Sequence, residues 1–215
     1  IRLGQLHGCG CTAQGILTAA PELSVFSLPV LFRDYDEIDH ILARFRGDIE
    51  SILEQKGLIL FALIDTGWFY AFLKEKAETL EELRLQKWLT WFGETEMAFL
   101  NELGIKPIPI AVPEVVMSLR SGIINADISP AAWFLGTQAF VATDYFIEKP
   151  FFYSIAAVVL DKNALIKDGL KYGLKKRDVD EILRLSIWIT RMFKLEEIWN
   201  GALRNFERKC MKGFV

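Results

Sequence analysis

His7 and His40 are the two imidazoles of the chain, and a base-assisted nucleophile or an imidazole-bearing metal site would draw on one of them. His40 falls inside a run with helical apolar spacing, which reads as a surface or packing position. His7 follows the short β-like segment IRLGQL and is the more interesting of the two. Cys9, Cys11 and Cys210 form an odd set, so they are not a complete disulfide framework, and their spacing is not that of a zinc site. They read as small buried thiols. Glu94 and Glu96 fall in the first turn of a predicted helix, where interaction with the helix dipole accounts for them. No G-x-G-x-x-G, G-x-x-x-x-G-K or G-x-S-x-G pattern occurs, so neither a phosphate cradle nor a nucleophile elbow is expected. The chain therefore reads as no enzyme, with no metal and no cofactor.

Aromatic residues are the more informative side chains. Trp68 and Phe69 follow one predicted strand, Trp88 and Trp91 lie in a second, and Trp133 follows a third. Apolar ligand pockets are lined by such groups, and in α/β sheets they open at the carboxyl ends of strands.

The elements that would position these residues follow from periodicity. Ile38, Ile41, Leu42, Phe45, Ile49, Ile52 and Leu53 recur at three-to-four spacing, which predicts a helix over 35–55 with Asp34 as its cap and Gly57 as its stop. GLILFALI (57–64) lacks alternation and reads as a strand covered on both faces, of the kind parallel sheets contain, closed by a turn at 65–67. KWLTWF (87–92) reads as a strand, 93–104 as a helix and IKPIPIA (105–111) as extended. Pro113 opens a helix that Gly122 stops before IINADIS (123–129), and a helix near 131–140 leads into the strong β run PFFYSIAAVVL (150–160). From about 177 the sequence is helical, with Ile182, Leu185, Ile189, Met192 and Phe193 on one stripe. Strands alternating with helices make an α/β layer. A composition of 52% apolar and 25% charged residues with a net charge of -3 excludes a disordered chain and gives no single-signed surface for nucleic acid. Apolar runs of about eight residues are far short of the roughly 20 needed for a membrane helix.

In order of segments the chain resembles the periplasmic solute-binding proteins of TRAP transporters, the tripartite ATP-independent systems that import small organic compounds. The resemblance rests on LSVFSLPVLFRDYDEID (23–39), EQKGLILFALIDTGW (54–68), KWLTWFGETE (87–96), GIKPIPIAVPEVVMSLRSGIINA (104–126) and the aromatic strand near 150. Pro113, Glu114, Leu119 and Gly122 carry its most specific part, and Trp88, Trp91 and Gly93 look like a Trp-rich branch. It implies a two-lobed α/β periplasmic-binding-protein-like fold with a ligand cleft between the lobes. Lobe one would comprise 1–65 and 146–177, and lobe two 66–145 and 178–215. Ile1 follows no charged leader, and relative to such proteins a first strand, helix and strand are missing, as are the last helices. The chain reads as a central piece with an incomplete first lobe.

The resemblance also implies a site. Members of the family hold a ligand carboxylate with an arginine whose position falls here on Leu89, and a second arginine often stands where this chain has Phe69. An apolar side chain supplies no bidentate charged fork. Around the same cleft the resemblance puts His7, Trp68, Trp91, Val112, Glu114, Asp127, Ser129, Trp133 and Phe152. The implied protein is a periplasmic receptor that delivers an apolar or weakly anionic organic solute to TRAP permease subunits in the membrane. A receptor-derived sensor and an α/β enzyme on a hydrophobic substrate are the competing readings.

Overall fold

The computed structural model describes residues 6–91, 93–192 and 194–212, with side chains to 209. In chain order the elements are β1 (Gly8–Cys11), α1 (Ala13–Ala19), α2 (Tyr35–Gln55), β2 (Leu58–Leu73), α3 (Leu80–Leu85), β3 (Leu89–Thr90), α4 (Glu94–Glu102), β4 (Ile108–Pro109), α5 (Val115–Ser121), β5 (Ala126–Pro130), α6 (Ala131–Gly136), β6 (Tyr145–Asp161), α7 (Lys162–Lys171), α8 (Lys176–Met192) and α9 (Leu195–Lys212). Helix α2 begins as its sequence dictates: the Asp34 carboxylate accepts a hydrogen bond from Glu37 N at 2.8 Å. It buries Ile38, Ile49 and Leu53 and gives way to Gly57 at φ +77. Helix α5 likewise stops on Gly122 in the left-handed region, at φ +75.

Four strands form a sheet of order β1-β6-β2-β5, and β3 pairs with β4 in a second. β2 pairs antiparallel with β5 over residues 69–73, beyond the 57–64 run, and this sets Phe72 opposite Asp127. β1 and β6 are antiparallel too. Parallel pairing appears between β3 and β4 and in an isolated bridge from Trp88 to Ala126.

The turn expected at 65–67 is absent, because β2 runs on through it. Side chains of α9 explain how. Leu63 N donates to Glu196 Oε1 at 3.1 Å, Asp65 N to Asn200 Oδ1 at 3.0 Å, and Trp68 N to Glu207 Oε1 at 3.1 Å. These acceptors satisfy backbone donors that a buried strand must pair somewhere. Gly67, at φ +91, takes the one left-handed conformation in the stretch, and a Cβ there would stand 2.8 Å from Glu207 Oε2. The strand expected over 87–92 is likewise shorter, since Lys87 N donates to the Asn125 side chain and Trp91 N to Glu96 rather than to a ladder.

The chain divides into two compact units. One comprises Ile1–Leu23, Asp34–Asp65 and Ile155–Arg204; the other comprises Ser24–Arg33, Thr66–Ser154 and Asn205–Val215. This differs from the expected partition at 24–33 and 146–154, which belong to the second unit, and at 178–204, which belongs to the first. Ion pairs hold it there. Arg46 of α2 donates twice to Glu196 of α9, at 2.6 and 2.9 Å. Arg204 binds Asp39 of α2 at 2.7 and 2.6 Å and also pairs with Asp65 of β2. The apolar stripe of α8 is present but faces outward: Ile182, Leu185, Ile189 and Met192 are exposed, while Val179 and Thr190 are buried. Phe193 lies outside the described residues.

The core of the second unit lies on both sides of β2 and β5. Ala71, Leu73, Trp88, Leu100, Ile105, Ala126, Ile128 and Phe152 form one cluster. Phe72, Leu89, Val115, Leu119, Ile124, Ala131, Phe134 and Ala139 form the other, and Phe72 stacks on Phe134 at 3.7 Å between ring centroids.

Candidate ligand site of the second unit

The bridge from Trp88 to Ala126 sets β3 and β5 side by side and parallel. Each leads at its carboxyl end into a helix, β3 into α4 and β5 into α6. This is where α/β folds open to ligands. Trp91 stands just after β3 and Trp133 in the first turn of α6, and their rings meet edge to face at 4.8 Å and 88°. The Trp91 indole N–H donates to the Ile128 carbonyl at 2.9 Å, which fixes the ring against β5. Both tryptophans remain part-exposed.

Polar groups lie directly beneath. Ser129 Oγ donates to Asp127 Oδ2 at 2.9 Å, and both residues are wholly buried. Glu96 Oε2 accepts from Trp91 N at 3.2 Å. Glu96 is therefore more than a helix-dipole carboxylate: it is buried, whereas Glu94, two residues earlier, is exposed. Asp127 Oδ1, Glu96 Oε1 and Thr90 Oγ1 are buried atoms without a hydrogen-bond partner among the described residues. Burial pushes the Glu96 carboxyl up to about 8, against the bond from Trp91 N and with a further rise from Asp127. Burial pushes Asp127 up to about 7, opposed by the hydrogen bond from Ser129 and by the nearby Trp91 indole.

The sequence profile of the bacterial extracellular solute-binding protein family 7, DctP, matches residues 1–167. The chain belongs to this family. A curated relative, the uncharacterized protein YiiZ of Salmonella typhimurium, is 29% identical over 114 residues, which cover 49% of this chain and 33% of YiiZ. Solved structures agree on the fold. DctP7 of Bordetella pertussis, an extracytoplasmic solute receptor binding pyroglutamic acid, superposes with a TM-score of 0.83 at 16% identity, covering 100% of this chain and 67% of that one. A TRAP periplasmic solute-binding protein from Haemophilus influenzae with bound L-gulonate gives 0.82 at 15% identity, over 99% of this chain and 66% of its own. One from Polaromonas bound to D-erythronate gives 0.77 at 18% identity, over 98% and 65%. The chain thus spans about two thirds of the length of these structures and a third of YiiZ.

The two-lobed α/β class inferred from the sequence is that of the family 7 receptors. Of the residues singled out in the sequence, the structure brings Trp91, Asp127, Ser129 and Trp133 together at the ends of β3 and β5. Leu89 is wholly buried in the cluster around Phe72, and Phe69 packs against the other cluster. Trp68 is buried against Tyr153 at 5.4 Å, and Phe152 is buried against Phe99 at 5.2 Å. Val112 and Glu114 are exposed on the short turn before α5. His7 belongs to the first unit, where its Nε2 lies 2.7 Å from Asp168 Oδ2. Sequence reading missed Glu96 and Thr90 as members of the group. Glu96 had a signal, a carboxylate five residues after an interior tryptophan, but helix position alone explained it equally well.

Proposed function

We propose that this family 7 chain is the solute-capturing part of an extracytoplasmic receptor that hands a small organic ligand to a TRAP-type permease in the membrane, without chemical change. The ligand is apolar or only weakly anionic. What supports this class is Leu89: at the position where the family resemblance implies a carboxylate-binding arginine, this chain has an aliphatic side chain with no exposed surface. Nearby cations do not replace the missing fork. Arg84 Nε donates to the Leu103 carbonyl at 2.6 Å and Lys87 Nζ to the Gly122 carbonyl at 3.1 Å. The buried carboxyls of Asp127 and Glu96 offer no cation to an anion beside Trp91, and they repel one once they ionise. No helix among the described residues is long and apolar enough to cross a membrane.

A calorimetric screen tests the reading. Neutral lipophilic compounds and branched 2-oxo acids should bind at least about tenfold more tightly than C4 dicarboxylates, sialic acid or D-glucuronate, a difference of about 1.4 kcal/mol. Tight, pH-independent binding of a dicarboxylate or sugar acid overturns the ligand class. Mass spectrometry of the bound compound before and after long incubation separates receptor from enzyme: a receptor returns it unaltered.

A further inference from the structure

Cys9 and Cys11 stand apart from the site between Trp91 and Trp133. They occupy alternate positions of β1, so their side chains leave the strand on one face. Both are free thiols, part-buried, and both line a groove of about 610 Å³ with Gly15, Ile16, Ala19 and Lys56. Cys11 Sγ reaches the Ala157 carbonyl at 3.5 Å. Gly15 leaves room for the pair, because a Cβ there would stand 2.9 Å from Cys11 Cβ.

Strand geometry decides what can join the two sulfurs. Pairing with β6, Cys9 opposite Val159 and Cys11 opposite Ala157, holds β1 extended. Alternate residues of an extended strand lie about 6.6 to 6.8 Å apart, at the outer end of the roughly 4.4 to 6.8 Å that a disulfide tolerates between Cα atoms. Two metal–sulfur bonds of about 2.3 Å in line separate the sulfurs by about 4.6 Å, which suits the extended backbone better than an S–S bond of about 2.05 Å. Among the described residues no group of three or more His, Cys, Asp or Glu is placed to hold a metal. A four-ligand ion such as zinc is therefore not served here, whereas an ion content with two soft ligands is.

We propose that Cys9 and Cys11 form a two-coordinate thiolate site for a soft monovalent cation with a filled d shell, Cu(I) or Ag(I), in the groove between β1 and α1. On binding, each S–H bond loses its proton to solvent, two metal–sulfur bonds form and no electrons are transferred. A cation between the two sulfurs offsets the charge that two thiolates would set side by side in a part-buried groove.

The test uses the full 215-residue chain, reduced and anaerobic, with Ag(I) as a redox-inert probe. Native mass spectrometry should show one tightly held silver ion per chain, in the unaltered protein and in Cys210→Ser. Thiol counting should fall by two on silver binding, with the protected residues mapped to Cys9 and Cys11. Cys9→Ser and Cys11→Ser should each weaken silver at least about a hundredfold against a chromophoric chelator, and Zn(II) should not compete. Silver binding kept in both serine variants, or lost in Cys210→Ser, overturns the site. A Cys9–Cys11 disulfide in the isolated protein with no silver uptake after reduction does so as well. Should a serine variant fail to fold, the protection map of the unaltered chain still decides, since any pattern other than Cys9 with Cys11 excludes the pair.

Discussion

Trp91 joins three interactions: its backbone N–H binds Glu96, its indole N–H binds the Ile128 carbonyl, and its ring meets Trp133. It is part-exposed while held from three sides, the condition for a preorganised contact surface. Trp91→Ala should weaken ligand binding by about 1 to 3 kcal/mol and leave a cooperative thermal transition. Trp68 differs, although the family resemblance puts both rings around one cleft. Its ring is 8% exposed and packs on Tyr153, so Trp68→Ala should cost about 3 to 5 kcal/mol of folding stability. Calorimetry of ligand binding and of unfolding on both variants separates the roles; unchanged ligand affinity in Trp91→Ala would remove that ring from the site.

At the scale of elements, α9 turns its polar residues toward β2. Glu196, Asn200, Arg204 and Glu207 recur at helical spacing, and each binds a main-chain or carboxylate group of that strand. Ile198, Trp199 and Phe206 of the same helix are exposed, so apolar periodicity points away from the face that packs. Arg204 joins the elements most closely, binding Asp39 and Asp65 and lying 4.3 Å over the Tyr35 ring. Arg204→Ala removes the cation from beside Asp65, whose side chain is 2% exposed, and should destabilise the fold by about 3 to 5 kcal/mol in urea unfolding. Arg204→Met with Asp65→Asn should recover part of that loss; equal losses in both would show that packing, not charge, holds α9.

For the whole molecule, the two buried carboxyls set a slope of stability with pH. Unfolded Asp and Glu release their protons near about 4, whereas folded Asp127 and Glu96 keep theirs until about 7 and about 8. Between these limits the folded state binds more protons than the unfolded one, so raising the pH draws the equilibrium toward unfolding. The melting temperature should therefore fall from pH 5 to pH 8. Asp127→Asn with Glu96→Gln should flatten that decline in scanning calorimetry. A melting temperature that rises over the same range, or a decline the double variant leaves intact, contradicts this account.

Local rules written in the sequence determined α2 from Asp34 to Gly57, the stop of α5 at Gly122, the α/β class and the family, because caps, glycines and apolar spacing act over a few neighbouring residues. The family resemblance, not local spacing, put Trp91, Asp127, Ser129 and Trp133 around one cleft, in a set that also held His7, Trp68, Val112 and Phe152. Tertiary structure alone decided that β2 continues through 65–67, since its backbone partners there come from α9 more than a hundred positions away. It alone separated Trp91 from Trp68, made Glu96 a buried neighbour of Asp127 and enclosed Leu89. Burial depends on which distant surfaces meet, and one-dimensional spacing carries no measure of that.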